Sequence, residues 1–201
     1  VSELFAILSA IIVLAGAPFY VVDIFKGKTK PERTTWFIWS VLGIIAFFSQ
    51  KALHAHWSLV FAGIDALGSL IVFGLSLKYG VGGWTKLDRI ALCLAIVGVL
   101  IAVIAHAPLV AIFGVMLADA AGAALTIRKT YLHPESETTI TWFGVGTSAL
   151  FGALSVGRIQ FGLLLYPIYL IIGSYGVLLA KWLGVLLKRR TKRTATDYNA
   201  R

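Results

Sequence analysis

The sequence predicts an all-α integral membrane protein. It has seven transmembrane helices, arranged as two parallel three-helix repeats joined by a linker helix (3+1+3), with the amino terminus outside and the carboxyl terminus cytoplasmic. Three observations predict it. Hydrophobic residues make up 59% of the 201-residue chain and charged residues 13%, against roughly 25% charged in a soluble domain, and the mean hydropathy is +0.88. Apolar runs of bilayer length recur from one end to the other. Two stretches, "GAPFYVVDIFKGKTKPERTTWF" from Gly16 and "GAALTIRKTYLHPESETTITWF" from Gly122, open on Gly-Ala and close on Thr-Trp-Phe over the same length.

Crossing about 30 Å of hydrocarbon takes about 20 helical residues. The expected spans are 4–25, 35–51, 57–79, 89–106, 108–128, 139–157 and 160–187. The second is short, and the fourth and fifth meet at His106, Ala107 and Pro108. The first run has no basic segment ahead of it and is one of many, so it reads as a span and not as a secretory signal. A single cysteine, Cys93, inside an apolar run, supplies neither a disulfide framework nor a Cys/His metal site.

The net charge of +9 is confined to connections and tail. Lys26, Lys28, Lys30 and Arg33 sit in the first connection, Lys78, Lys86 and Arg89 at the third, Arg128 and Lys129 at the fifth, and "KRRTKR" at 188–193. The opposite side carries Lys51, Arg158 and a nearly chargeless fourth connection. The positive-inside rule then gives the orientation. The charge is assigned to topology and to anionic lipid headgroups, with no nucleic-acid partner.

At an offset of 106, Gly16, Ala17, Thr35, Trp36, Phe37 and Ser49 meet Gly122, Ala123, Thr141, Trp142, Phe143 and Ser155. At 105, Gly68, Ser69 and Val72 meet Gly173, Ser174 and Val177. Each copy covers three spans, and the odd span lets the second copy enter in the same orientation as the first. The expected units are 1–80, a linker at 81–107, 108–187, and a basic cytoplasmic tail at 188–201. Parallel repeats of this kind enclose a central cavity at mid-membrane.

The two stretches quoted above resemble the PQ-loop repeat, in which a Pro-Gln helix end leads through a short basic loop to a second helix. This is the unit of the SWEET, PQ-loop and cystinosin-like transporters, and the chain is also similar to PQ-loop-like bacterial membrane proteins. The resemblance implies transport of a small polar solute by rocking the two bundles, in a bacterial inner membrane. The first repeat keeps Pro18 but has Phe19 in the glutamine position, and the second has Ala124 and Leu125. A proline removes a helical hydrogen bond and permits a kink. Pro18 is thus the hinge of the first repeat, and Gly122 or Pro167 that of the second.

A carboxylate in hydrocarbon is expensive, so it should face a cavity or a partner. Asp65 in "LVFAGIDALGSLIVF" and Asp119 in "AIFGVMLADAAGAAL" lie about 12–15 Å along their spans, near mid-depth. They are candidates to bind a cationic group or to titrate with protons; the alternative is an interhelical hydrogen bond. Ser69 and Ser174 are pocket candidates, because SWEET-like transporters place polar pocket residues on these helices, or else small packing residues. Tyr166 and Tyr169 line a cavity or anchor at the interface. Trp36 and Trp142, with Trp39, form an aromatic belt at the inner boundary or, by the resemblance, an inner gate. Asp23 beside Lys26 suggests a surface ion pair. Glu32, Glu135 and Glu137 suggest a solvated loop face, and Pro134 to Glu137 the start of the sixth helix. His54 and His56 have a metal-compatible spacing without a nearby carboxylate, so no metal or other cofactor is expected.

Transporter is the leading class. A receptor of the same fold, binding ligand without moving it as the KDEL receptor does, is the alternative. A retinal protein would need a lysine deep in the seventh helix, and Lys181 sits near its inner end. An intramembrane enzyme would need a positioned nucleophile and base, and neither aspartate lies in a protease-like motif, so no catalysis is expected. Gly-rich helices permit a homo-oligomer.

Overall fold

The computed structural model describes residues 2–52, 57–157, 159 and 161–199. His54, His56 and Arg158 lie outside the described residues, as do the side chains of Ser49 and of 190–193. The described residues form seven α-helices: α1 (Ser2–Phe25), α2 (Arg33–Ala52), α3 (Trp57–Tyr79), α4 (Lys86–Ile104), α5 (Pro108–Leu132), α6 (Thr139–Ser155) and α7 (Phe161–Asn199). Ser2–Phe25, Lys86–Ile104, Leu109–Leu132 and Leu163–Arg189 are each long and apolar enough to cross a membrane. The protein is all-helical, and its apolar helices are those of a membrane protein.

Helix is what a bilayer demands of these sequences, because only a helix satisfies every backbone group inside its own segment. The packing is that of a chain whose solvent is lipid. Leu4, Ile7, Ile11, Ile96, Leu100 and Val103 point outward, while buried polar and charged side chains outnumber buried apolar ones among the described residues. With no hydrophobic drive between helices in lipid, small residues and hydrogen bonds hold them together. Ile38, Ala91, Ala95, Ala118 and Ala121 form one core cluster between α2, α4 and α5.

The broadest contacts join α4 to α5, α2 to α3, and α1 to α6, followed by α6–α7 and α5–α7; α2–α5 is smaller, and α1–α3 is slight. The α1–α6 seam carries Ser9 and Ser148, each hydroxyl donating to the other's main-chain carbonyl at 2.8 Å. At the positions 106 away stand Val115 and Leu42, which have no such groups, a reason why α2–α5 is the weaker seam.

Three connections interlock at the basic end. Glu32 and Val81 form a parallel bridge, and the amide of Lys30 donates to the Ser136 carbonyl at 3.0 Å. The Arg33 guanidinium donates to the carbonyls of Ser76, Gly80 and Gly82 at 2.9, 2.9 and 2.7 Å. It thereby ties the end of α3 and the connection that follows it to the start of α2. Asp88 closes a capping box with Thr85 at the start of α4.

One expectation is corrected here. Pro134–Ser136 forms a 3-10 turn, and α6 begins only at Thr139, because Glu137 is extended and its side chain turns inward instead of capping the helix. Beyond the apolar part of α7, the basic segment from 188 is helical to Asn199.

Candidate functional site

Asp119 lies midway along α5 and accepts a hydrogen bond from the Tyr169 hydroxyl of α7 at 2.5 Å. Tyr166 and Tyr169, one turn apart on the same face, stack with ring centroids 6.0 Å apart. Asp65 of α3 is exposed, on a helix that packs on α2 and α1 and not on α5 or α7 among the described residues. Three of the sequence-derived candidates, Asp119, Tyr166 and Tyr169, thus come together from α5 and α7. Tyr169 is a partner of Asp119 and not a free interfacial anchor.

Ser69 and Ser174 are both buried, at 6% and 4% exposure. The Ser69 hydroxyl donates to the Asp65 carbonyl one turn back, at 2.6 Å. Its proton is committed to its own helix, a bond that tends to bend the helix slightly. α1 runs through Pro18 and α7 through Pro167 without a break in helix. The Gly122 carbonyl accepts from the Thr35 hydroxyl at 2.6 Å, and the Gly16 carbonyl accepts from the Thr141 hydroxyl at 3.1 Å.

A second cluster, at the basic end, centres on Glu137. Its Oε1 accepts from the Tyr20 hydroxyl at 3.1 Å and from Lys129 Nζ, and its Oε2 from Trp142 Nε1 at 2.8 Å. Trp36 Nε1 donates to the Tyr20 hydroxyl at 3.3 Å. Trp39 lies edge-on to Trp36 at 5.1 Å and faces Trp142 at 5.9 Å. Lys129 also donates to the Lys30 carbonyl at 2.7 Å, and Lys181 to the Glu137 carbonyl and the Thr139 hydroxyl. Asp23 Oδ2 accepts from the Thr138 hydroxyl at 3.0 Å, which in turn contacts that of Thr29. Side chains of α1, α2, α5, α6 and α7 are therefore tied into one clasp.

The clasp overturns several expectations. Glu32 and Glu137 are buried, at 4% and 2% exposure, and only Glu135 is solvated. Asp23 bonds Thr138 in place of Lys26. Trp142 is buried and Trp36 half-buried, so they form an inward cluster and not a belt facing headgroups. Sequence reading missed Lys129, Glu137, Tyr20 and Lys181. Their signal was weak, because Lys129 and Glu137 are eight residues apart and only the turn at Pro134 brings them face to face.

Glu32, just ahead of α2, accepts from the Thr35 amide through Oε2, at 2.6 Å, while its Oε1 is buried without a partner. It packs on Gly82, whose φ of +80° suits glycine and where a Cβ would overlap the carboxylate. Burial, and secondarily Asp88, push the Glu32 carboxyl above the ordinary glutamate range against the opposing pull of Thr35. The protonated form is thus favoured in the fold. The stability this contributes is full below the unfolded value and is lost as pH rises through the raised one. Glu32→Gln should remove that loss: as pH rises out of the ordinary glutamate range, the native thermal midpoint should fall relative to that of the variant, and parallel profiles would reject the assignment.

A cavity of about 650 Å³ lies at this basic end, lined by the α1–α2 and α5–α6 connections and by Lys181 of α7. No group of three or more His, Cys, Asp or Glu side chains converges to hold a metal among the described residues. Comparison with protein-family models, with curated proteins and with solved structures finds no match to this chain.

Proposed function

We propose that the protein is a membrane transporter of a small polar solute. In this reading, 1–80 and 108–187 are two three-helix bundles joined by the linker at 81–107, in a 3+1+3 order of seven spans. The amino terminus is outside, the carboxyl terminus is cytoplasmic, and the bundles rock to expose the centre alternately to each side. The observation that carries the proposal is the polar pair of Asp119 and Tyr169, with Tyr166 stacked on Tyr169, where Asp119 sits midway along α5 among otherwise apolar helices. A carboxylate at that depth is costly unless it has work or a partner, and Tyr169 occupies only one of its oxygens.

Three further features support the reading. Thr35 to Gly122 and Thr141 to Gly16 are the same bond made twice between positions 106 apart, as a two-fold relation between halves requires. Phe37 and Phe143 both point outward, while Ser69 and Ser174, and Val72 and Val177, are all buried. The clasp around Glu137 joins helices of both halves at the basic end, so it serves as the closed inner gate of one state. Trp36 and Trp142 belong to that gate, with Pro18 and Gly122 as hinge points beside the Thr–Gly contacts. The basic ends of these helices favour the cytoplasmic side, and a bacterial inner membrane is the proposed location.

The test begins with thermal shifts of the detergent-purified protein against sugars, amino acids, amines and vitamins at about pH 5.5 and 7.5. A ligand at 100 times its Kd adds about 2.7 kcal/mol to apparent stability. A stabilising solute should then be taken up by proteoliposomes, and Asp119→Asn should abolish the pH dependence of uptake with the fold intact. Unchanged pH dependence would remove proton coupling, and binding without flux would make the protein a receptor.

A further inference from the structure

The cavity at the basic end, beside the Glu137 clasp, has features of a built site for a ligand other than the transported solute. Its volume of about 650 Å³ falls in the range of small-ligand sites, roughly 300–1,000 Å³. Four lysines, Lys28, Lys30, Lys129 and Lys181, line it against three carboxylates, Asp23, Glu135 and Glu137. The carboxylates are already engaged. Glu137 holds Lys129, Tyr20 and Trp142, Glu135 pairs with Lys188 at 2.9 Å from outside the cavity lining, and Asp23 accepts from Thr138.

The lysines are less completely matched. Lys28 and Lys30 are exposed and form no ion pair among the described residues. Among the described residues Lys181 Nζ donates to uncharged oxygens, the Glu137 carbonyl and the Thr139 hydroxyl. An independent sign comes from Ser136, which lines the same cavity. It is 5% exposed, and its buried hydroxyl has no hydrogen-bond partner. Buried hydroxyls are rarely left unsatisfied, so a donor is in place with nothing among the described residues to receive its proton.

We propose that this cavity binds a phosphate-bearing anion, held by Lys28, Lys30 and Lys181 with the Ser136 hydroxyl as the neutral donor and His133 at the rim. A phosphate offers several strong acceptor oxygens to converging lysines. Basic pockets at helix ends also receive lipid headgroups of the anionic leaflet. A phospholipid headgroup and a free phosphate share this chemistry. Bound there, the anion bridges the α1–α2 connection, the α5–α6 connection and α7, the elements that the Glu137 clasp joins, so it stabilises the closed basic end. The proposal stands whether or not the protein transports.

The full-length protein in zwitterionic detergent is titrated with inorganic phosphate, with short-chain phosphatidylglycerol and with short-chain phosphatidylcholine, following the thermal midpoint. The expected result is a saturable rise with phosphatidylglycerol, phosphate or both, weakened by salt, and none with phosphatidylcholine. A response to phosphatidylglycerol alone identifies a headgroup, and a response to phosphate identifies a site open to soluble anions. The combined variant Lys28→Gln/Lys30→Gln/Ser136→Ala should weaken the response about tenfold or more, equivalent to about 1.4 kcal/mol. Lys78→Gln/Lys86→Gln, which removes the same charge away from the cavity, should leave it unchanged. No rise with either anion, an unaltered response in the first variant, or equal weakening by both would overturn the site.

Discussion

Glu137→Gln is expected to lower stability by about 3–5 kcal/mol, as breaking one side of a buried ion pair does. The substitution is nearly isosteric, so the loss comes from charge and hydrogen bonding and not from packing. Lys129 is 6% exposed and is left beside a neutral amide, and the amide group of glutamine turns a donor toward at least one of the donors Tyr20, Lys129 or Trp142. Lys129→Met is expected to be similarly harmful, since it leaves the glutamate charge buried. The double variant Glu137→Gln/Lys129→Met should recover part of the loss, because removing both charges removes the desolvation that their attraction has to offset. Thermal midpoints of the four proteins form a double-mutant cycle. Additive losses would mean that the two side chains do not act as a pair. The clasp interpretation also expects acrylamide to quench tryptophan fluorescence more strongly in Glu137→Gln, as Trp36 and Trp142 become accessible.

Gly98→Val should be at least as harmful, for a steric reason. α4 and α5 cross where Gly98 meets Gly114, and a Cβ at Gly98 would stand 2.5 Å from the Gly114 carbonyl oxygen and 2.6 Å from the Ala118 nitrogen. Both obstacles are backbone, which no rotamer change can move aside. The helices must separate, forfeiting the close approach that drives association in lipid, and overpacking typically costs about 1–3 kcal/mol before further groups are added. A Cβ on Gly114 meets the Gly98 carbonyl at the same 2.5 Å, so Gly114→Val should match it. Gly68→Ala is the control, since nothing lies within 4 Å of a Cβ there, and it should be close to neutral. Equal thermal midpoints for Gly98→Val and Gly68→Ala would show that the crossing contributes little.

Hydropathy located all seven helices to within a few residues at most ends, for example 57–79 for α3 and 4–25 against Ser2–Phe25 for α1. It succeeded because burial in lipid leaves helix as the only way for such a segment to satisfy its backbone. It is silent where the chain leaves the apolar region. The turn at Pro134 to Ser136 and the continuation of α7 to Asn199 depend on local packing and on helix propagation, which hydropathy does not measure.

Within the spans, Asp65, Asp119, Tyr166 and Tyr169 were legible because ionisable and phenolic groups stand out against apolar neighbours. Their pairing was not, since Asp119 and Tyr169 lie 50 residues apart and on different helices. Ser69 looked the equal of the others in sequence, yet its hydroxyl is committed to its own helix.

What the sequence determined by itself is therefore the set of helices, the apolar exterior and the polar residues that must find company at mid-depth, because these follow from the free energy of single residues in lipid. The tertiary structure alone decided which groups keep that company. Glu137 reads in sequence as one of several loop acids beside lysines, and becomes the centre of a buried clasp only when Tyr20, 117 residues away, and Lys129 are folded onto it. A charge in a connection has water as its default partner, and only packing that excludes water makes its choice of protein partner matter.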